Sequence, residues 1–197
     1  MRYVTVWIWL LFVAAPSWAV DCAALTFRGQ GYTACTVDIR YDDIRLFLRA
    51  PDAVPYGDFL TLNLALAQQN LTLSFAMNAG MYHPDRSPVG YYVEQGVTRM
   101  RLLTRASPGN FGLLPNGVLC IGDRTIEVIE TLRFAARNLV CRSASQSGPM
   151  LVIDGALHPR FLKDSRSRFI RNGVGMREGG QQAVFVMSKG FVLSLIH

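Results

Sequence analysis

Polar side chains follow several short apolar runs of this sequence, at the points where strands are expected to end. Asn78 and Gly80 come directly after the run at residues 71–77, and Asp154 comes directly after the run at residues 150–153. Strand ends on a rigid sheet are places where binding and catalytic groups are commonly held. The sequence therefore predicts a site at strand ends, with Asn78 as a catalytic amide and Gly80 giving a ligand close access to the backbone.

Asp154 is the acid best placed for cleavage of a glycosidic bond. It could act as a general acid or as the carboxylate that stabilises an oxocarbenium ion. The alternative is an Asp-Gly turn in which the side chain bonds its own backbone. Asp85 and Glu94 are weaker candidates, because a surface pair and a hairpin edge explain them equally well. Asp154 is therefore the predicted catalytic carboxylate.

Arg168 and Arg171 are candidates for holding an anionic group, because a guanidinium pairs bidentately with phosphate or carboxylate. If a strand begins at Arg168, the two arginines point to opposite faces of it. Arg171 lies beside Asn172 and Gly173, so it is the predicted catalytic cation. Arg168, Asn172 and Gly173 are predicted to bind substrate, with an exposed surface position as the alternative for Arg168.

The turn Gln146-Ser147-Gly148 and the loop residue His83 complete the predicted binding set. Ser147 could bond a phosphate or a sugar hydroxyl, and no G-x-S-x-G elbow surrounds it to favour a nucleophile. Histidine side chains can gain and lose a proton near neutral pH, so His83 could move a proton. The alternative for His83 is a solvated loop side chain with no role.

The charge pattern and the cysteine and histidine positions argue against several classes of function. The net charge is +6, but the arginines are scattered and form no basic stripe interleaved with aromatic residues. Nucleic-acid binding is therefore not expected. No Cys or His residues have the spacing of a zinc site, and no ligand cluster is apparent, so no metal site is predicted. A divalent metal held by carboxylates and a substrate phosphate is the alternative. A hydrolysis takes water as its second reactant, so no organic cofactor is predicted.

Residues 1–19 have the pattern of a signal peptide, with Arg2, an apolar stretch and a small-x-small cleavage site at Ser17-Trp18-Ala19. We expect cleavage after Ala19, no stable membrane span afterwards, and a periplasmic or secreted location. Four cysteines remain, and an oxidising compartment permits disulfides. Cys22 with Cys35 is the favoured pair, while the sequence leaves the other pairings open.

An α+β fold is predicted, as a single mixed-sheet domain with a few short helices and the site at strand ends. Asp58 is a candidate N-cap for a helix over residues 58–70, and a short helix is predicted over 132–139. Alternating or continuous apolar runs predict strands at residues 25–28, 32–40, 44–48, 71–77, 91–94, 97–103, 113–121, 125–130, 150–153, 171–176, 183–187 and 191–196.

Five motifs occur in order along the chain: NAGMYHPDRSPVG, NFGLLPNGV, QSGPMLVIDG, HPR and SRFIRNGVG. Through them, residues from about 22 to 188 resemble the phosphodiester glycosidase family, in particular its bacterial exported branch. The resemblance implies hydrolysis of the bond between a sugar's anomeric carbon and a phosphodiester. It also implies a sugar phosphodiester or a surface glycan as the substrate, and a mixed α+β domain.

The resemblance is incomplete at the C-terminal end of the sequence. Family members typically continue into a further helix and a strand that carries a second Asp-Gly element. We therefore expect residues 20–197 to form a phosphodiester glycosidase-like domain whose C-terminal part is missing. The alternative functions are a non-catalytic glycan-binding protein of the cell envelope and an inactive, truncated family member.

Overall fold

A computed structural model describes residues 20–109, 111–159, 168–177 and 179–193. The predicted signal peptide lies outside these residues. The helices are α1 (Phe59–Ala67) and α2 (Thr131–Arg137). The strands are β1 (Asp21–Phe27), β2 (Gln30–Asp38), β3 (Tyr92–Glu94), β4 (Val97–Met100), β5 (Gly117–Ile121), β6 (Ile126–Glu130), β7 (Ser143–Ser147), β8 (Val152–Ile153), β9 (Ala156–Leu157), β10 (Arg168–Phe169), β11 (Asn172–Met176), β12 (Gln182–Ser188) and β13 (Val192–Leu193).

These strands form two main sheets, and the predicted α+β fold is confirmed. A four-stranded sheet has the order β1-β2-β12-β11, and a five-stranded sheet has the order β4-β3-β7-β5-β6. Every pairing among the described strands is antiparallel, and β8-β9 and β10-β13 form two further small pairs. Pairs such as β2-β12 and β3-β7 join strands that are distant in sequence. Residues far apart in the chain can therefore contribute to one site.

The hydrophobic core follows from the alternation of side chains along the strands. Leu119 and Ile121 of β5 pack with Val37 and Phe185 of the four-stranded sheet. Val118 and Cys120, the residues of β5 between and beside them, belong to a second cluster that includes Phe134 of α2. The five-stranded sheet is therefore buried on both faces.

Two disulfides join neighbouring parts of the chain. Cys22 bonds Cys35 across the β1-β2 pair, as predicted, and Cys120 of β5 bonds Cys141, a pairing that the sequence left open. The β1-β2 register places Cys22 and Cys35 directly opposite each other. The first disulfide therefore links two residues that the sheet already brings together.

Some predicted elements differ from the structure. Residues 44–48 and 71–77 were expected to be strands and form no regular strand. The helix predicted over 58–70 is shorter at its C-terminal end, although its predicted cap is present: Asp58 Oδ1 accepts from Thr61 N at 2.7 Å. β7 was not predicted, because Ser-Ala-Ser-Gln-Ser has neither the apolar content nor the alternation of a typical strand.

The side chain of Gln146 in β7 connects this strand to the segments of Tyr91 and Leu103 and to the start of α2 through hydrogen bonds. Its Nε2 donates to Leu103 O at 2.7 Å and to Thr131 Oγ1 at 3.1 Å, and its Oε1 accepts from Tyr91 N and Leu103 N, both at 3.1 Å. The side chain is only 2% exposed. A buried amide whose hydrogen-bonding groups are all paired is structural, so we assign Gln146 this role in place of the predicted substrate binding.

The first prediction concerns stability. Gln146→Leu keeps the bulk of the side chain but leaves Tyr91 N and both backbone groups of Leu103 without their partners. Orphaned buried groups cost about 1–3 kcal/mol each, so the free energy of unfolding should fall by about 3 kcal/mol or more in urea titrations. Gln181→Leu, at an exposed position, serves as the matched control. A loss for Gln146→Leu no larger than that for Gln181→Leu would contradict this role.

Candidate functional site

A cleft of about 1910 Å³ lies between the two sheets and the loops at their ends. Binding sites for small molecules typically measure about 300–1,000 Å³, so the size of this cleft does not by itself locate a site. The position of the site must instead be inferred from the polar groups in the cleft wall. Every predicted site residue except His83 lines this cleft: Asn78, Gly80, Gln146, Ser147, Gly148, Asp154, Arg168, Arg171, Asn172 and Gly173.

Two motifs that are distant in sequence meet in the cleft wall at Asn78. Asn172 Nδ2 donates to Asn78 O at 3.1 Å, which brings the start of β11 to the segment after residue 77. Ser145 Oγ donates to Ala79 O at 2.5 Å. A Cβ on Gly80 would lie 2.8 Å from Ser145 Oγ, so this position requires glycine. The segment that carries Asn78 is thereby fixed against both β7 and β11.

Two nitrogens of the Arg171 guanidinium lack acceptors among the residues that the structure describes. Its Nε and Nη2 are buried and have no hydrogen-bond partner among the described residues. The guanidinium carbon lies 4.8 Å from the centre of the Phe169 ring, although β10 ends at Phe169 and Arg171 lies just before β11. Buried guanidinium nitrogens without acceptors are costly, so the position favours an anionic ligand that supplies them.

The residues around Arg171 leave room for such a ligand. A Cβ placed on Gly173 would meet no atom within 4 Å, so the space beside this glycine is open. Arg168 is exposed in β10, opposite Leu193 of β13. Asn172 is also exposed, and its amide already bonds Asn78. The predicted Arg171, Asn172 and Gly173 therefore share one part of the cleft wall.

Asp154 lies at the tip of the β8-β9 hairpin, in the Asp-Gly turn that the sequence offered as the alternative. Its φ is +50° and that of Gly155 is +81°, the left-handed pair of a two-residue hairpin turn. The carboxylate accepts from Arg133 Nη1 at 2.8 Å and from Nη2 at 2.7 Å. This bidentate pair lowers the pKa of Asp154, which keeps the group ionised at neutral pH. The geometry therefore supports a carboxylate role and argues against a general acid.

The other carboxylates of the cleft wall are also engaged by the protein. Glu130 caps α2 by accepting from Leu132 N and Arg133 N, and Glu127 pairs with Arg137 at 2.9 Å. The remaining ones, like these, each have a hydrogen-bond or ion-pair partner: Asp42, Asp43 and Asp58. No carboxylate among the described lining residues is left without a protein partner.

Ser147 is the last residue of β7, Gly148 follows it, and both line the cleft. A Cβ on Gly148 would overlap the side chain of Asn116, which is 1% exposed, so glycine is required for this contact. Ser147 is half-buried and pairs with Gly117 of β5. The packing of Gly148 on Asn116 sets the path of the chain past Ser147.

His83 is not brought together with the other predicted residues. It is exposed, does not line the cleft, and its backbone N–H donates to Ser87 O at 2.8 Å within a tight loop. Arg133 and Asn116 were not predicted as site residues. Asn116 lies in the motif NFGLLPNGV, and Arg133 lies in no motif. Each acts through a partner distant in sequence, Gly148 for Asn116 and Asp154 for Arg133.

Within the parts of the chain that the structure describes, no three His, Cys, Asp or Glu residues form a potential metal site. None of the described helices combines the length and the apolar character needed to cross a bilayer.

Comparison with known proteins gives two matches. The model of a family described as phosphodiester glycosidase matches residues 72–194, a range that includes all the cleft residues discussed above from Asn78 to Gly173. The uncharacterized protein YigE of Escherichia coli (strain K12) is 31% identical over 189 residues, which cover 92% of this chain and 71% of that protein.

The second prediction tests the ionised state of Asp154. Arg133→Met should raise the pKa of Asp154 toward the ordinary carboxyl range, measured by NMR titration of its side-chain carbon. Because the pKa is lowered in the folded state, the stabilisation from this pair is present at neutral pH and is lost as the pH falls through the lowered pKa. Exposure of both side chains makes the effect sensitive to salt.

Arg137→Met is the control for that experiment. It removes an arginine of the same helix whose partner is Glu127 and not Asp154. The pKa of Asp154 should not change in this variant. Equal shifts in both variants would attribute the lowered pKa to general positive charge and not to the Arg133 pair.

Proposed function

Because the chain belongs to the phosphodiester glycosidase family, we propose that it hydrolyses the bond between the anomeric carbon of a sugar and a phosphodiester. The observation that carries this proposal is the guanidinium of Arg171. Two of its nitrogens are buried beside the cleft without an acceptor from the described residues. A phosphodiester is an anion of the right geometry to accept from both.

In the proposed reaction the bond between C1 and the phosphate oxygen breaks, and its electron pair goes to that oxygen. The oxygen of a water molecule forms the new bond to C1 and loses a proton to solvent. The products are the free sugar and a phosphomonoester. The leaving group is a stable anion, so its departure needs less protonation than that of an alcohol, and Arg171 stabilises the charge that develops.

Asp154 and Asn78 have roles consistent with their positions in this scheme. Asp154 is ionised through Arg133, so it contributes negative charge opposite the positive charge that develops on the sugar ring. Asn78 contributes its side-chain amide from a segment whose backbone is fixed by Asn172. Ser147 and Arg168 bind the remaining oxygens of the substrate from their positions in the cleft wall.

We further propose that the protein acts in the periplasm or after secretion. The disulfides Cys22–Cys35 and Cys120–Cys141 support this location, because such bonds form and persist in oxidising compartments. The substrate would then be a sugar phosphodiester of the cell surface or its surroundings. The signal-peptide pattern of residues 1–19 points to the same location.

A second candidate function, a non-catalytic glycan-binding protein, is favoured by one observation. Glycoside cleavage usually employs two carboxylates that face the bond. Every described carboxylate in the cleft wall is engaged by another group of the protein. Such a cleft could hold a phosphorylated glycan through Arg171 without cleaving it.

The third prediction separates these functions. The chain is incubated with N-acetylglucosamine 1-(methyl phosphate) and with the same ester of other hexoses, and release of reducing sugar is measured. Binding of the same esters is measured by calorimetry. The proposed hydrolase should release sugar, and Arg171→Met should lower kcat/KM by about 100-fold or more, as expected for loss of a charge-stabilising donor. Arg171→Lys should recover only part of the activity, because it lacks the planar fork.

Arg177→Met is the matched control, since Arg177 is an exposed arginine that directly follows β11, as Arg171 directly precedes it, and does not line the cleft. It should leave kcat/KM unchanged. Binding that depends on Arg171 without release of sugar would instead establish the glycan-binding function. Release of sugar that is insensitive to Arg171→Met would refute the role given to this residue.

A further inference from the structure

We infer that Tyr82 and Arg86 form a subsite for the leaving-group side of the substrate and select leaving groups that carry a flat ring and a second negative charge. This inference rests on the proposed function, because it names the part of the phosphodiester that these residues would recognise. Both residues line the cleft, and neither is needed for the core.

The two side chains form an exposed stacked pair in the cleft wall. The guanidinium carbon of Arg86 lies 5.0 Å from the centre of the Tyr82 ring, and Tyr82 is 45% exposed. Among the described residues, the guanidinium of Arg86 makes no hydrogen bond and no ion pair. Hydrogen bonds from Thr61 are the main cause of the lowered pKa of Asp58, and Arg86 contributes only a small part. The pair therefore offers an aromatic face and available donors.

The loop that carries this pair is fixed at both ends. Gly80 packs on Ser145, as described above, and a Cβ on Gly90 would lie 2.8 Å from Cε2 of the buried Phe111 ring. Between them, Tyr82 pairs with Pro88, and Val89 N donates to Met81 O at 3.0 Å. Tyr82 is thus held at a defined place in the cleft wall, which a recognition residue requires.

Arg86 occupies a backbone conformation that favours glycine. Arg86 N donates to His83 O at 2.8 Å, and His83 N donates to Ser87 O at 2.8 Å, which encloses a three-residue turn. Arg86 is the left-handed residue of this turn, with φ of +68°. Glycine adopts this conformation at a lower cost in free energy, so the turn can be kept when Arg86 is replaced by glycine.

The position of the pair fits the leaving group. Tyr82 follows Asn78 by four residues, so their Cα atoms lie at most roughly 14 Å apart. Asn78 is bound to Asn172, the neighbour of Arg171. With the phosphodiester placed at Arg171, a leaving group that continues along the cleft past Asn78 would bring its second phosphate to Arg86 and its ring to Tyr82. Aromatic side chains bind nucleobases and similar rings by stacking.

The experiment compares two substrates that share one sugar and differ in the leaving group: the methyl phosphodiester and the uridine diphosphate ester. Tyr82→Leu and Arg86→Gly should each raise KM for the uridine diphosphate sugar about tenfold, with little change in kcat. KM for the methyl ester should stay within about twofold. Tyr82→Phe, which keeps the ring, should behave as the unsubstituted chain.

Gln95→Gly is the control for the backbone change at Arg86. Gln95 is an exposed residue with φ of +51° in the β3-β4 turn, outside the cleft. Its substitution removes a side chain from the same left-handed conformation and should leave both KM values unchanged. Because glycine adopts the same backbone conformation, Arg86→Gly should keep the turn and remain folded. Circular dichroism checks the fold directly.

The outcomes distinguish this inference from the proposed function. If the chain cleaves both substrates and the variants alter both KM values equally or neither, the subsite is refuted and the hydrolase stands. If the chain cleaves neither, the proposed hydrolysis fails, and the same comparison made by calorimetric binding still decides the subsite. Weaker binding of only the uridine ester to Tyr82→Leu and Arg86→Gly supports it, and equal binding or no binding overturns it.

Discussion

The buried amide of Gln146 is the interaction on which the rest of this structure depends. It lies in the central strand β7 and satisfies backbone groups of Tyr91 and Leu103 that would otherwise be buried without partners. It also bonds Thr131, whose hydroxyl donates to Asn116 O. One side chain thereby connects the start of α2, the turn before β5 and the segments that contain Tyr91 and Leu103. Asn116 also packs on Gly148, in the turn that follows β7. This network therefore fixes that part of the cleft wall.

Much of the fold could be predicted from the sequence because local rules agree with burial. The alternating apolar residues of β2, the Gln95-Gly96 turn and the Asp58 cap each have a local cause, and each is present. β7 could not be predicted, because its polar side chains are buried by partners distant in sequence. Ser145 bonds Ala79 O, and Gln146 bonds Leu103 and Thr131. A sequence window around β7 contains none of these partners.

The candidate site was likewise only partly predictable from the sequence. Strand alternation predicted Phe169 and Arg171 on one face of a single strand. The two side chains do stack, but β10 ends at Phe169 and Arg171 lies between β10 and β11. The sequence also could not show that two nitrogens of Arg171 would be buried without acceptors from the described residues. The Asp154-Gly155 turn illustrates the opposite case: the residue pair fits a hairpin turn and a catalytic acid equally well in sequence. In three dimensions the turn forms and Arg133 binds the carboxylate, so the residue is a turn former and also a fixed negative charge.

The distinction between binding and catalysis in this cleft follows from where charge changes. A phosphodiester carries one negative charge before its bond to C1 breaks and gains a second as the phosphomonoester departs. In the proposed reaction a guanidinium at Arg171 would therefore interact more strongly with the departing group than with the bound substrate, and only such a difference lowers the barrier. In the proposed subsite Arg86 would face a more distant part of the leaving group, whose charge does not change. Its contribution would be equal in the ground state and the transition state, so it would affect KM and not kcat. The two arginines would thus have different kinetic effects, because only Arg171 would contact the oxygen that acquires charge.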